Sequence, residues 1–141
     1  MEIEKILPHR KPFLFVDKMV SQEYMKEAIG YRIIPSDEFW VEGHFPDNPV
    51  YPGVLQLETM AQIGGFIFAN EKGIIPNENF AYLSKVDGLK LLKKVSIGDC
   101  LMVKAILLDG FSPYYRVKAV ATVNGKKVSE AVITYTFLNK L

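Results

Sequence analysis

Residues 43–62 read Gly-His-Phe-Pro-Asp-Asn-Pro-Val-Tyr-Pro-Gly-Val-Leu-Gln-Leu-Glu-Thr-Met-Ala-Gln, and they run from a loop into a helix. The loop half contains His44, one of two histidines in the chain, and three prolines. The helical half continues to about residue 70 and is almost wholly apolar, yet it contains Glu58 and Gln62. An acid within an apolar helix, so close in sequence to a loop histidine, indicates a functional site.

The apolar residues of 54–70 fall on every side of the predicted helix, a pattern typical of a helix that is buried all round. A helix of this length measures about 30 Å, which is also the thickness of a bilayer core. Polar residues interrupt its first half, and a carboxylate at mid-membrane costs about 2.5–3.5 kcal/mol. We therefore predict a buried helix of a globular protein and no membrane span.

The start of this helix is also a candidate binding position. Pro52 and Gly53 end the loop, and the first backbone N–H groups after them have no partner within the helix and lie at the positive end of its dipole. Such an end can bind an oxyanion, although a Pro-Gly pair more often only turns the chain. Glu58 and Gln62 are four residues apart and share one helical face, so Gln62 can orient Glu58.

Length and composition limit the possible classes of protein. The 141 residues are 49% apolar, which suits one globular domain over residues 1–141. The net charge of +1 argues against a nucleic-acid partner. The N-terminus lacks the features of a signal peptide, so we expect a cytoplasmic location. No cysteine cluster suits a metal, and the single cysteine, Cys100, is interpreted as a buried structural thiol.

Strands are predicted on both sides of the helix. Before it, we expect a short N-terminal helix, an apolar strand at 13–16 and a strand within 24–34. His9, in the loop after the short helix, is interpreted as a hydrogen-bonding residue rather than a catalyst. After it, turn residues separate strands at 81–86, 101–108, 114–123 and 128–138, and Asn124-Gly125 is the strongest hairpin signal. One long buried helix and four or more antiparallel strands predict an α+β domain whose sheet curls round the helix.

Several motifs of the chain resemble those of the bacterial (3R)-hydroxyacyl-[acyl-carrier-protein] dehydratases of fatty acid synthesis. They are Leu-Pro-His-Arg-Lys-Pro-Phe-Leu-Phe-Val-Asp at 7–17, Gly-His-Phe-Pro at 43–46, Pro-Val-Tyr-Pro-Gly-Val-Leu at 49–55, Glu-Thr-Met-Ala-Gln at 58–62 and Gly-Asp at 98–99. The resemblance covers nearly the whole chain. It implies the hot-dog fold, in which a curled antiparallel sheet wraps a long central helix.

The resemblance also implies a site and partners. His44 and Glu58 would be the catalytic pair, contributed by different subunits of a homodimer that assembles further as a trimer of dimers. The implied substrate-binding residues are Phe45, Tyr51, Gly53, Val54 and Gln62, with the Gly53 N–H polarising the thioester carbonyl. The implied substrate is an acyl thioester delivered by acyl carrier protein, and neither a cofactor nor a metal is implied.

The chemistry of dehydration calls for such a set of groups. Eliminating water from a 3-hydroxyacyl thioester needs a base for the Cα proton, an acid for the departing hydroxyl and donors for the enolate-like oxygen. Histidine has an ordinary pKa of about 6.5 and can therefore accept a proton near neutral pH, so His44 is expected to be the base. Apolar neighbours disfavour a charged carboxylate, so Glu58 is expected to be the acid. Whether it donates directly or through a water stays open.

The chain also departs from the family pattern. Lys-Leu-Leu-Lys-Lys-Val at 90–95 and Ile97 lack two usual prolines, and Tyr51 replaces an apolar residue, which leaves acyl chain length and carrier docking open. A hot-dog thioesterase, with Glu58 directing water, and a non-catalytic acyl-binding paralogue remain alternatives. The Gly-His-Phe-Pro loop argues against the first and the intact His44–Glu58 pair against the second.

Overall fold

The computed structural model describes residues 3–7, 9–43, 47–70 and 80–138. Three α-helices and a short 3-10 helix occur in this part of the chain: α1 (Ile3–Ile6), α2 (Trp40–Gly43), α3 (Gly53–Gly65) and the 3-10 helix Phe66–Phe68. Six strands accompany them: β1 (Lys18–Glu23), β2 (Glu27–Ile33), β3 (Phe80–Leu91), β4 (Cys100–Phe111), β5 (Tyr114–Val123) and β6 (Lys126–Leu138).

The six strands form one antiparallel sheet in the order β1-β2-β4-β5-β6-β3. The β5–β6 hairpin turns at Asn124 and Gly125, whose φ angles are 51° and 77°. Two consecutive positive φ angles are the geometry that a two-residue hairpin turn requires, and Asn-Gly adopts them readily. The hairpin prediction is therefore confirmed. Strand β3 comes last in the sheet order, at an edge, although it lies between α3 and β4 in sequence.

Helix α3 packs against the concave face of this sheet. The strands bury alternate side chains against it, among them Val103, Ala119 and Ile133. Every residue from 59 to 69 is buried, which confirms the prediction of a helix buried on all sides for that stretch. The first turn differs, because Val54 is 73% exposed. The α+β class with a curled sheet around a central helix is confirmed. None of the helices in the described part of the chain has both the length and the apolar content needed to cross a membrane.

Of the two strand predictions before the helix, the strand within 24–34 is confirmed as β2 and the strand at 13–16 is wrong. Residues 13–16 form no strand, because the backbone of Phe13 and Phe15 bonds to the side-chain amide of Gln62 instead of a neighbouring strand. Residues 24–26 form the turn of the β1–β2 hairpin rather than part of one strand. Met25 takes a φ of 56° there, and the turn contains no glycine, proline or asparagine to signal it.

Two further expectations are corrected. Cys100 is exposed rather than buried, because burial alternates along β4 and Leu101, its neighbour, points inward. The helix does not continue regularly to residue 70, since α3 ends at Gly65 and the 3-10 helix ends at Phe68. The Gln22 side chain donates hydrogen bonds to the Phe66 and Ala69 carbonyl oxygens, which satisfies backbone acceptors at this end. Gly73 and Pro76, which predicted the helix end, lie outside the described residues.

Close contact between α3 and β6 predicts a large effect of one added methyl group. A Cβ on Gly64 would overlap the Tyr135 hydroxyl, whereas a Cβ on Gly65 would meet Leu7 at an ordinary 3.7 Å. Gly64→Ala should therefore destabilise the protein by about 1–3 kcal/mol through overpacking. Gly65→Ala is the matched control and should lower the free energy of unfolding by less than Gly64→Ala does, because alanine favours the helical conformation. Urea unfolding would measure both variants, and equal midpoints would contradict the prediction.

Candidate active site

A cavity of about 240 Å³ lies where α3, β3, β6 and the loop after α1 meet. Its lining is partly polar and partly aromatic, which suits a ligand with an apolar body and a reactive polar group. The lining residues are His9, Glu58, Ala61, Gln62, Ala81, Tyr82, Leu83 and Tyr135. Of the residues predicted from the sequence, Glu58 and Gln62 are therefore brought together at this cavity.

Glu58 lies near the middle of α3 with its side chain 27% exposed in the single chain. Gln62 Nε2 donates a hydrogen bond of 3.1 Å to Glu58 Oε1, as their four-residue spacing predicts. Gln62 Nε2 also donates to the Phe13 carbonyl at 2.7 Å, and Gln62 Oε1 accepts from the Phe15 N–H at 2.8 Å. These backbone contacts fix the orientation of the amide, so that Gln62 presents a donor to Glu58.

His9 is the residue that sequence reasoning missed. Its Nε2 lies 3.3 Å from Glu58 Oε1, and its side chain is 31% exposed. The neighbouring Arg10 donates hydrogen bonds of 2.8 Å to the carbonyl oxygens of Leu7 and His9, which holds the loop against α1. The signal available in the sequence is the Pro-His-Arg motif itself, whose local pattern indicates only a loop. The structure places His9 beside the acid that the sequence singled out.

Tyr135 closes the cavity on the β6 side. Its hydroxyl donates a 2.6 Å hydrogen bond to the Ala61 carbonyl oxygen. Burial raises the pKa of Tyr135 far above its ordinary value, and the nearby charge of Glu58 raises this pKa further. The phenol therefore stays protonated at neutral pH and holds α3 in place rather than exchanging protons.

Other residues predicted for the site lie elsewhere or outside the described residues. Gly53 is the first residue of α3, and no side chain caps this helix start. The side chain of Leu91 packs directly over Gly53, so that a Cβ at that position would overlap it. Neither Gly53 nor the exposed Val54 lines the cavity. His44 and Phe45 fall within residues 44–46, outside the described residues.

Tyr51 is fully buried and its hydroxyl has two partners within the chain. Arg32 Nη1 donates to the Tyr51 hydroxyl at 2.9 Å, and that hydroxyl lies 2.9 Å from Thr59 Oγ1. Arg32, which is itself buried, also pairs with Glu38. Tyr51 does not line the cavity, so its phenol serves an internal polar network that ties β2 to α3. Arg32 and Glu38 were not identified from the sequence.

Metal chemistry has no evident ligand set in the described ranges. Within residues 3–7, 9–43, 47–70 and 80–138, no three His, Cys, Asp or Glu side chains lie close enough together to hold a metal ion. The polar groups at the cavity are a carboxylate, an imidazole, an amide and two phenols. Such groups are suited to acid–base and hydrogen-bonding roles.

Comparison with known protein sequences gives a consistent result. The FabA-like domain matches residues 7–132. The chain is 41% identical over 138 residues to the 3-hydroxyacyl-[acyl-carrier-protein] dehydratase FabZ of Clostridium botulinum, covering 95% of this chain and 92% of that protein. It is 39% identical over 137 residues to the FabZ of Clostridium novyi, covering 95% and 93%.

Comparison with solved structures shows the fold. The dehydratase heterocomplex ApeI:P from Xenorhabdus doucetiae superposes with a TM-score of 0.83 at 15% identity, covering 99% of this chain and 93% of that chain. A hypothetical thioesterase from Streptococcus pneumoniae, solved with coenzyme A, gives a TM-score of 0.67 at 12% identity, covering 87% and 86%. The expected hot-dog fold is confirmed. The chain belongs to the FabA-like family, in the group formed by its FabZ relatives.

Proposed function

We propose that this chain dehydrates (3R)-3-hydroxyacyl-acyl carrier protein to the trans-2-enoyl thioester in fatty acid synthesis, as a hydro-lyase. The observation that carries the proposal is the identity of about 40% with FabZ dehydratases over 95% of the chain. The cavity supports it, because Glu58 reaches a space lined by apolar and polar groups together. We further propose that residues 1–141 act as one domain, located in the cytoplasm.

The proposed reaction divides the acid and base roles between two residues. The base, His44, takes the proton from Cα, and the electrons of that C–H bond form the new double bond. The bond from C3 to the hydroxyl oxygen breaks, and the oxygen leaves as water with a proton from the acid, Glu58. Gln62 supports the role of Glu58, because it holds the carboxyl group in one orientation through Oε1. No cofactor takes part in these steps.

The start of α3 is the proposed position of the thioester carbonyl. The helix begins at Gly53 without a side-chain cap, so the first N–H groups are available to a developing oxyanion. Leu91 packs over Gly53 and would have to move for a thioester to reach this end. Leucine is flexible enough to do so by a rotamer change. Phe45, Tyr51 and Val54 remain predicted substrate-binding residues, and of the two that the structure describes Tyr51 is buried and Val54 is exposed.

A second copy of the chain is proposed to complete the site. Strand β3 is at an edge of the sheet and exposes Leu83, Leu89 and Leu91, while Val54 at the start of α3 is also exposed. A two-fold dimer that covers these apolar side chains would remove them from water, and each of its two sites is proposed to combine His44 of one chain with Glu58 of the other. We propose this homodimer and its further assembly as a trimer of dimers.

Acyl carrier protein is the proposed donor of the substrate, and an exposed basic segment supports this. Lys93 and Lys94 follow β3, are exposed and have no ion-pair partner among the described residues. Lys90 lies 3.7 Å from Glu130, and Arg10 is bonded to the loop after α1, so these two are less available. A basic surface steers an acidic partner towards it. Lys93 and Lys94 therefore form the proposed docking segment.

One assay tests the proposed reaction against both alternatives. With crotonyl thioester on acyl carrier protein, we expect reversible hydration, measured as loss of the enoyl absorbance without release of free thiol. A thioesterase would release thiol in a stoichiometric amount. A non-catalytic acyl-binding paralogue would neither hydrate the enoyl group nor release thiol. The same measurement with the coenzyme A thioester is the matched control for the carrier. A kcat/KM equal for both donors would contradict the role of acyl carrier protein while leaving the dehydration intact.

A further inference from the structure

Two potential N–H donors approach the same oxygen of the Glu58 carboxyl group. Gln62 Nε2 lies 3.1 Å from Glu58 Oε1, and His9 Nε2 lies 3.3 Å from that same atom. Among the described residues, no donor contacts Glu58 Oε2. Within the part of the chain that the structure describes, the contacts of this carboxyl group are therefore made through Oε1 alone.

The identity of both nitrogens as donors follows from their other contacts. The Gln62 amide cannot be reversed, because its oxygen accepts from the Phe15 N–H and its nitrogen donates to the Phe13 carbonyl. His9 Nδ1 is buried and has no partner in the part of the chain that the structure describes. The neutral imidazole ring carries its hydrogen on one nitrogen. We infer that Nε2 is that nitrogen, because among the described residues it alone has an oxygen within reach, Glu58 Oε1 at 3.3 Å.

An oxygen that accepts one N–H group and has a second N–H donor 3.3 Å away is an unfavourable place for the proton of the acid itself. In a protonated carboxyl group the carbonyl oxygen is the better acceptor and the hydroxyl is the donor. We propose that His9 is a positioning residue that, together with Gln62, keeps the proton of Glu58 on Oε2 and so presents it to the substrate hydroxyl. This inference rests on the proposed role of Glu58 as the acid.

His9 acts through Glu58 and not on the reacting atoms. Arg10 fixes the backbone of the His9 loop by bonds to Leu7 and His9, so the ring is in place before a substrate arrives. The 3.3 Å separation is slightly longer than the 2.7–3.2 Å of most N–H···O bonds. Catalytic hydrogen bonds commonly tighten when the substrate binds, and a small rotation of the ring is enough here.

The test compares variants that keep or remove the donor. The amide nitrogen of glutamine can take the place of Nε2, so His9→Gln retains an N–H donor but cannot gain or lose a proton. His9→Leu removes the donor. We expect His9→Leu to lower kcat about 10- to 100-fold with little change in KM, as for loss of one hydrogen bond to a reacting acid. His9→Gln should recover most of that loss.

Each outcome decides the proposal. If His9→Leu retains kcat within about twofold of the wild type, a range below the effect of one hydrogen bond, His9 does not position Glu58. If His9→Gln is as slow as His9→Leu, His9 acts by exchanging a proton and the positioning role is wrong. His9→Ala removes the same donor and replaces His9→Leu if that variant fails to fold. Full activity of Glu58→Gln would instead overturn the proposed role of Glu58 as the acid, on which this inference rests.

Discussion

Glu58→Gln is expected to lower kcat/KM for the acyl carrier protein substrate by about 100- to 10,000-fold, the usual effect of losing a general acid. Glutamine has nearly the same shape, and its carbonyl oxygen can accept the bond that Gln62 donates to Oε1. It cannot supply a carboxyl proton to the departing hydroxyl. The loss should therefore appear as lower turnover with an unchanged fold.

The comparison needs a control for stability and for charge. Glu27→Gln, in β2 and outside the cavity lining, removes one negative charge without touching the site and should keep wild-type turnover. Unfolding midpoints of both variants should lie close to that of the wild type. Turnover of Glu58→Gln near the wild-type value, in a sample with a normal midpoint, would show that Glu58 is not the acid.

The second large effect concerns two chains that are inactive separately. We expect His44→Ala and Glu58→Gln chains to regain activity when they are co-expressed, because each site is proposed to take His44 from one chain and Glu58 from the other. In a mixed dimer one site then receives both defects and the other receives neither. Random pairing makes about half of the dimers mixed, which gives roughly a quarter of wild-type activity.

The measurement uses the co-expressed mixture with its dimer composition determined by intact mass. If both residues of a site came from one chain, every site would carry one defect. Activity of the mixture no higher than that of either variant alone, with mixed dimers present, would then contradict the shared site. Co-expression of His44→Ala with His44→Ala carrying a different tag is the control, and it should stay inactive.

Local sequence patterns predicted the central elements well. The β5–β6 hairpin followed from Asn124-Gly125, because its turn geometry depends on two adjacent residues. The buried helix followed from apolar residues on all sides, and the contact of Gln62 with Glu58 followed from helical spacing. In each case the determining interaction lies within a few residues along the chain.

The contacts that were missed depend on the tertiary fold. His9 reaches Glu58 because the loop after α1 packs against α3, and nothing in the local sequence specifies that packing. The same is true of Arg32, whose partners Glu38 and Tyr51 come from different segments. The turn at Met25 was also missed, although it is local. Its positive φ falls on a residue other than glycine, so the composition gives no signal for it. The strand predicted at residues 13–16 does not form, because the Gln62 side chain of α3 takes the place of a strand partner.

The pair formed by buried Arg32 and half-buried Glu38 restricts how this sequence can change over generations. Removing one partner of a fully buried ion pair typically costs about 3–5 kcal/mol, and the cost is smaller where one partner is partly exposed, whereas replacing the pair with packed apolar residues is often neutral. Arg32 has a further partner in the Tyr51 hydroxyl. Single substitutions at Arg32 or Glu38 are thus selected against, and drift at these positions requires changes that arise together. In descendants of this chain, the identities of the two residues should therefore covary.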